Sequence, residues 1–266
     1  MNLESIYQKL QIQDMNQMQK STYTATENEN DVILLSPTGS GKTLAFLFPV
    51  LRNLRSDVSG IQAMILVPAR ELALQIEQVF KAMGTDFKIS ICYGGHDKKI
   101  EINNFREAPA LLIGTPGRIA YHLRNNNFDP STIKTLVLDE FDKALELGFE
   151  EDMNFILEEL ENCSQRILTS ATAMDKIPDF VGLQNEKIIN FLKIHDSKPN
   201  IQLKKVMTTS EEKLDTLFHL ICKIGNKRTL IFCNHRDAVD RISELLREKG
   251  IDRETFHGGM EQDERE

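Results

Sequence analysis

Residues 31–43 read DVILLSPTGSGKT. Asp31–Leu35 is a short run, apolar and continuous rather than alternating, which predicts a strand covered on both faces, as in a parallel sheet. Ser36–Thr43 follows at once and opens a helical pattern over Thr43–Asn53. The octapeptide meets the pattern GxxxxGK[ST] at Gly41, Lys42 and Thr43, with Ser36 in place of the first glycine. Each residue type has a physical reason. Gly39 and Gly41 let backbone N–H groups turn toward phosphate oxygens. The helix N-terminus adds positive potential. Lys42 can reach β- and γ-phosphates, and the Thr43 hydroxyl can ligate Mg²⁺. Ser36, Thr38 and Ser40 complete the loop. This context points to a nucleoside triphosphate site and says little about what the nucleotide is used for.

Further strand-like runs lie on both sides: Ala63–Val67, Ile89–Tyr93, Ala110–Ile113, Thr135–Leu138, Gln165–Thr169 and Thr229–Cys233. Helical patterns alternate with them over Arg70–Ala82, Pro116–Leu123, Glu150–Glu161, Glu211–Ile224 and Asp237–Glu248. In the Glu150–Glu161 pattern Phe155, Ile156 and Leu160 are expected to point inward beneath an acidic solvated face. Such alternation predicts an α/β fold with a doubly wound parallel sheet, its ligands at the C-terminal ends of strands. The run TLVLDEFD sets Asp139 and Glu140 at one such end. An acidic residue there can hold Mg²⁺, and its neighbour can orient an attacking water.

The 266 residues suggest about two domains. The segment Lys193–Lys205 is polar, contains Pro199 and separates two α/β patterns, so a domain boundary is expected there. The expected division is 1–195, a linker at 196–203, and 204–266. With 41% hydrophobic and 27% charged residues the chain is neither disordered nor collagen-like. No apolar run reaches about 18 residues, so no membrane span is expected. The polar N-terminus lacks the features of a secretory signal. The four cysteines form no CxxC pair, three sit in apolar stretches and read as core, and a cytoplasmic location is expected. No His, Cys and acid spacing indicates a metal site of its own. A formal net charge of -8 argues by itself against a nucleic-acid partner.

The ordered set of short motifs overrules the charge. SPTGSGKT, Pro68–Ala73 (PARELA), Gly94–Gly95, Thr115–Arg118 (TPGR), Asp139–Asp142 (DEFD), Leu147–Phe149 (LGF), Ser170–Thr172 (SAT), Ile231–Asn234 (IFCN) and His257–Met260 with Gln262 and Arg265 follow one another along nearly the whole chain. Together they resemble the DEAD-box family of ATP-dependent RNA helicases. Departures are Ala69 where threonine is usual and Phe141 where the family has a small alanine. The resemblance implies a RecA-like P-loop domain followed by a partial second RecA-like domain, acting on ATP with Mg²⁺ and on RNA.

By that resemblance Asp139 would hold Mg²⁺ with Thr43, and Glu140 would position the hydrolytic water. Asp142 would link the Lys42 loop to Ser170 and Thr172. Gln19, 23 residues before Lys42, matches the spacing of an adenine-reading glutamine, whose amide can both donate and accept. Arg70, Gly94, Gly95, Thr115 and Arg118 would line the RNA backbone from the first domain, and Asn234, Gly258, Gln262 and Arg265 from the second. Such contacts go to phosphate and sugar, so binding is expected to be independent of base sequence. The family's second domain continues past HGxMxQxxR to an HRxGRxxR motif whose arginines reach the γ-phosphate. A truncated chain that binds nucleotide well, hydrolyses it slowly and leaves its second sheet with an exposed edge is therefore expected. A monomer is expected, and no membrane partner. Two other readings stay open: an ATP-gated RNA clamp or scaffold without unwinding, and a related DNA helicase.

Overall fold

The structure, a computed structural model, describes residues 3–174, 176–192 and 201–260. The chain divides into two units, Met1–Lys198 and Pro199–Glu266. Residues 196–200 of the expected linker lie outside the described residues.

Among the described residues the first unit is built on seven strands: β1 (Asp31–Leu35), β2 (Ala63–Leu66), β3 (Ile89–Cys92), β4 (Leu111–Gly114), β5 (Thr135–Leu138), β6 (Gln165–Ser170) and β7 (Lys187–Asn190). They form one sheet in the order β3-β4-β2-β5-β6-β1-β7, with every pairing parallel. Among the described residues this unit has eight helices: α1 (Leu3–Leu10), α2 (Gln17–Asn28), α3 (Lys42–Asn53), α4 (Arg70–Ala82), α5 (Lys98–Phe105), α6 (Pro116–Arg124), α7 (Phe141–Glu146) and α8 (Glu150–Glu159), with a 3₁₀ turn at Asp179–Val181. The inner strands are apolar on both faces because both are covered. Phe46, Phe48, Ile65, Ile76 and Phe80 pack in one layer, and Met64, Leu112, Ile119, Leu136 and Ile156 in the other. Burying one such side chain fully is worth about 1.5–3 kcal/mol.

The sheet order decides where the motifs meet. β6 lies between β1 and β5, with Leu35 beside Ser170 and Leu138 beside Leu168. The loops after β1, β5 and β6 therefore emerge together. On the other side of β5, β2 and β4 are neighbours and β3 forms the edge, so the segments after β2, β3 and β4 emerge as a second group. Parallel strands put all of these loops at one end of the sheet.

The central sequence expectations match these elements to within one or two residues. The edge strand β7 and helices α1, α2, α5 and α7 were not expected. Phe155 is only partly buried, its ring under the Arg124 guanidinium at 4.5 Å, while Met153 joins Ile156 and Leu160 inside. Of the cysteines only Cys92 is buried, and all four are free thiols. Phe141 is 1% exposed and packs toward Phe180, so it fills core rather than facing the site.

The second unit carries α9 (Lys213–Ile224) and α10 (Arg236–Glu248). The strand expected at Thr229–Cys233 does not form among the described residues: the segment has no ladder partner, and Leu230 and Phe232 are exposed. An apolar run satisfies its backbone as a strand only beside another strand. A cleft of about 1030 Å³ lies between the two helices and this segment. Among the described residues no helix is long and apolar enough to cross a membrane.

Candidate functional site

The phosphate loop is shaped by its glycines and tied to α2. Gly41 is the N-cap of α3 with φ +91°, a left-handed conformation that side chains resist. A Cβ there would also come within 2.8 Å of Gln19 Nε2. Gln19 is buried rather than solvated. A capping box holds it: the Gln19 N–H donates to Asn16 Oδ1 at 2.9 Å and the Asn16 N–H to Gln19 Oε1 at 2.8 Å. Its Nε2 then donates to the Gly41 carbonyl, and Asn16 Nδ2 to the Ser40 carbonyl, both at 3.2 Å. Ser36 Oγ meets Ser40 Oγ across the loop at 2.7 Å, while Thr38 and Gly39 are exposed at its tip and Thr43 is half-buried.

Lys42 is 8% exposed, and its ammonium donates to the carbonyls of Ser36 at 2.7 Å and Pro37 at 3.0 Å. Burial pushes it below the ordinary lysine value, and the charges of Asp139, Glu140 and Asp142 pull it back up. The ammonium thus rests in the concavity of its own loop, facing three carboxylates. A phosphate oxygen is a better partner than a neutral carbonyl, because both partners then carry charge.

Asp139 directly follows β5 and is also buried. Burial raises its carboxyl from 3.8 to about 6, against the lowering effect of the Thr169 hydroxyl that donates to Oδ1. Thr169 also accepts the Glu140 N–H at 3.2 Å. Glu140 adopts φ 47°, ψ 48° at the start of α7. A left-handed glutamate is uncommon, and such strain gathers at functional sites. Asp142 Oδ2 accepts from Thr172 Oγ1 at 2.7 Å, and Ser170 Oγ bridges to the Thr172 backbone at 2.7 and 3.1 Å. Asp142 Oδ1 is buried without a hydrogen-bond partner. Sequence reasoning missed Thr169, which stands one residue before the SAT motif at the end of β6.

The raised Asp139 carboxyl gives a stability prediction. The folded state holds the proton more tightly than the unfolded chain between about pH 3.8 and 6. Stability is therefore lost as pH rises through that window, and above it the full cost is present. In metal-free buffer Asp139→Asn is expected to raise the melting temperature at pH 7.5 by several degrees over wild type, a gain of at most about 3 kcal/mol. The gain shrinks at pH 4.5, where wild type carries the proton. Thermal unfolding at the two pH values checks this, and a variant less stable at both would contradict it.

The second group of loops forms a cleft of about 560 Å³. Arg70, Gly94, Thr115 and Arg118 line it together, as do Lys98 and Tyr121. Gly95 lies in the same loop as Gly94, with φ +94°. Lys98 Nζ sits 4.1 Å from the centre of the Tyr121 ring. These two residues lie outside every recognisable motif, and only the fold brings them to the cleft. The Arg118 side chain is 9% exposed and turned inward, its Nη2 donating to the His96 carbonyl at 2.9 Å. Asn234 and Gly258 are exposed in the second unit. Gln262 and Arg265 lie outside the described residues.

A parallel sheet with a glycine loop and buried lysine after β1, and an acidic pair after β5, defines a P-loop nucleotide-binding domain. Residues 16–180 match the family model for DEAD/DEAH box helicases, and residues 212–266 match that for a helicase conserved C-terminal domain. The chain belongs to the DEAD/DEAH box helicase family. It is 33% identical over 253 residues to the ATP-dependent RNA helicase CshA of Limosilactobacillus reuteri, covering 93% of this chain and 51% of that protein. To the ATP-dependent RNA helicase DeaD of Buchnera aphidicola it is 33% identical over 243 residues, covering 89% of this chain and 40% of that protein. The chain thus spans about half or less of the length of these relatives. Among solved structures, a DEAD box protein from Methanococcus jannaschii matches with a TM-score of 0.65 at 27% identity, covering 99% of this chain and 72% of that one.

Proposed function

We propose that this chain supplies the ATP site and part of the RNA-gripping surface of an ATP-dependent RNA helicase. The observation that carries the reading is the placement of two groups of loops on one sheet end. Lys42, Asp139, Glu140, Asp142, Ser170 and Thr172 gather after β1, β5 and β6, while Arg70, Gly94, Thr115 and Arg118 gather after β2, β3 and β4. β5 and β2 are hydrogen-bonded neighbours, so a change at one group has a short path to the other.

In this reading Lys42 and the backbone of 36–41 bind the ATP phosphates, and Gln19 reads adenine from beside Gly41. Glu140 orients the attacking water. The donor set suits Mg²⁺: the Thr43 hydroxyl and the Asp139 carboxylate are hard oxygen ligands, and a buried carboxylate raised to about 6 gains most from a cation. Bound Mg²⁺ would offset charge on the β- and γ-phosphates. Asp142 and Thr172 tie α7 to the end of β6, so the nucleotide site and the 170–172 loop move as one. Asn234, Gly258, Gln262 and Arg265 add RNA contacts from the second unit, and 1–195, 196–203 and 204–266 are the domain, linker and partial second domain. A monomer acting in the cytoplasm completes the proposal.

Fluorescence anisotropy with a labelled single-stranded RNA tests the nucleic-acid half. Expected are RNA binding that is indifferent to base sequence, weaker for the same sequence as DNA, and a log–log salt slope of a few units at most, since few basic side chains line the cleft. Equal or tighter binding of DNA would favour the DNA-helicase alternative instead.

A further inference from the structure

Beneath the cleft floor lies a buried charge cluster that the nucleotide chemistry does not use. Glu101, on α5, is fully buried, as is His122 on α6. Glu101 Oε2 accepts from His122 Nε2 at 2.7 Å and lies 3.4 Å from Arg118 Nη1. Oε1 accepts the Tyr93 N–H at 3.2 Å and faces His96 Nδ1 at 3.1 Å. His122 Nδ1 in turn meets Asn127 Nδ2 at 2.9 Å.

Cys92 completes a trio with Glu101 and His122 whose ligand atoms lie within 4.8 Å of one another. The geometry disfavours a metal there. The carboxylate and imidazole are already in direct hydrogen bond, both carboxylate oxygens have partners, and a guanidinium stands where a cation would be repelled. Burial pushes the Cys92 thiol well above its ordinary value, away from the thiolate a metal needs.

A buried carboxylate is costly to desolvate and is held only by well-placed partners. Here those partners come from the two edges of the cleft. Tyr93 and His96 flank Gly94–Gly95 in the segment after β3, and Arg118 and His122 lie on α6, whose first turn follows Thr115. We propose that Glu101 is a positioning residue for the nucleic-acid cleft: its one carboxylate clamps the Gly94–Gly95 loop to the start of α6 and so fixes the spacing of the backbone-binding edges. The inference rests on the reading of the cleft as the RNA site.

The test is a sign. Were Glu101 only a negative charge near phosphate, Glu101→Gln would tighten RNA binding. As a clamp, its loss loosens the edges, and RNA affinity falls about tenfold, equivalent to ~1.4 kcal/mol, while affinity for ATP with Mg²⁺ stays within about twofold. Because Arg118 is one limb of the clamp, the loss caused by Glu101→Gln is smaller in an Arg118→Ala background than in wild type, whereas independent sites would add in full. If Glu101→Gln fails to fold, His96→Ala removes one limb of the clamp and carries the test, with a smaller loss in the same direction. Unchanged or tighter RNA binding, additive effects with Arg118→Ala, or stoichiometric zinc in the purified protein would each overturn the proposal. Arg70→Ala separates the two levels. If wild type binds RNA and only Arg70→Ala weakens it, the clamp is wrong and the RNA site stands. If wild type binds no RNA, the reading beneath the inference fails with it.

Discussion

Lys42→Ala is expected to weaken ATP binding about 10²-fold or more and to abolish the thermal shift with ADP and Mg²⁺. The ammonium is buried, desolvated and held by two backbone carbonyls. Three carboxylates face it, and any phosphate entering the loop meets that negative field. Without Lys42 the loop retains backbone donors but loses the cation that offsets Asp139, Glu140 and Asp142. Two charge-assisted hydrogen bonds at about 1.5–3 kcal/mol each exceed a hundredfold in affinity. Isothermal titration with ATP and Mg²⁺ checks the size. Wild-type affinity in the variant would place the phosphates elsewhere.

Glu140→Gln separates binding from chemistry. The side chain follows the buried Asp139 and leaves the backbone in a left-handed conformation anchored by Thr169. Glutamine keeps the size and can still hydrogen-bond water, but it is a far poorer proton acceptor. A positioned general base contributes about 10²–10⁴-fold. Single-turnover hydrolysis with protein in excess over ATP should slow by that factor, with ATP affinity changed less than about threefold. The single-turnover format reads the step even where multiple turnover is slow. A variant that hydrolyses at the wild-type rate would remove Glu140 from the chemistry.

What could be read in the sequence, and what could not, divides along physical lines. DVILLSPTGSGKT is legible because its requirements are local: an apolar strand, glycines where φ must be positive, a lysine at the helix start. TLVLDEFD is legible for the same reason. The role of Phe141 was not, because whether a large side chain faces core or site depends on the 3₁₀ turn that packs near it. The Asn16–Gln19 capping box was present as a spacing but hidden in a glutamine-rich run, so Gln19 could equally have been solvated. Glu101 and His122 lie 21 residues apart on different helices. They meet only because β3 and β4 are neighbours, which no local pattern states. The same holds for Lys98 and Tyr121 in the cleft. Thr229–Cys233 illustrates the opposite case: the apolar pattern says what the segment can do, and a missing ladder partner decides that it does not do it among the described residues.

The separation of the two groups of loops, one after β1, β5 and β6 and the other after β2, β3 and β4, gives the central claim its most direct measurement. Hydrogen–deuterium exchange would be followed in the free chain, with ATP and Mg²⁺, and with single-stranded RNA. Nucleotide is expected to protect 36–43, 139–142 and 170–172, and RNA to protect 68–71, 93–98 and 115–121. Protection of the same loops by both ligands, or none in the second group on adding RNA, would contradict it.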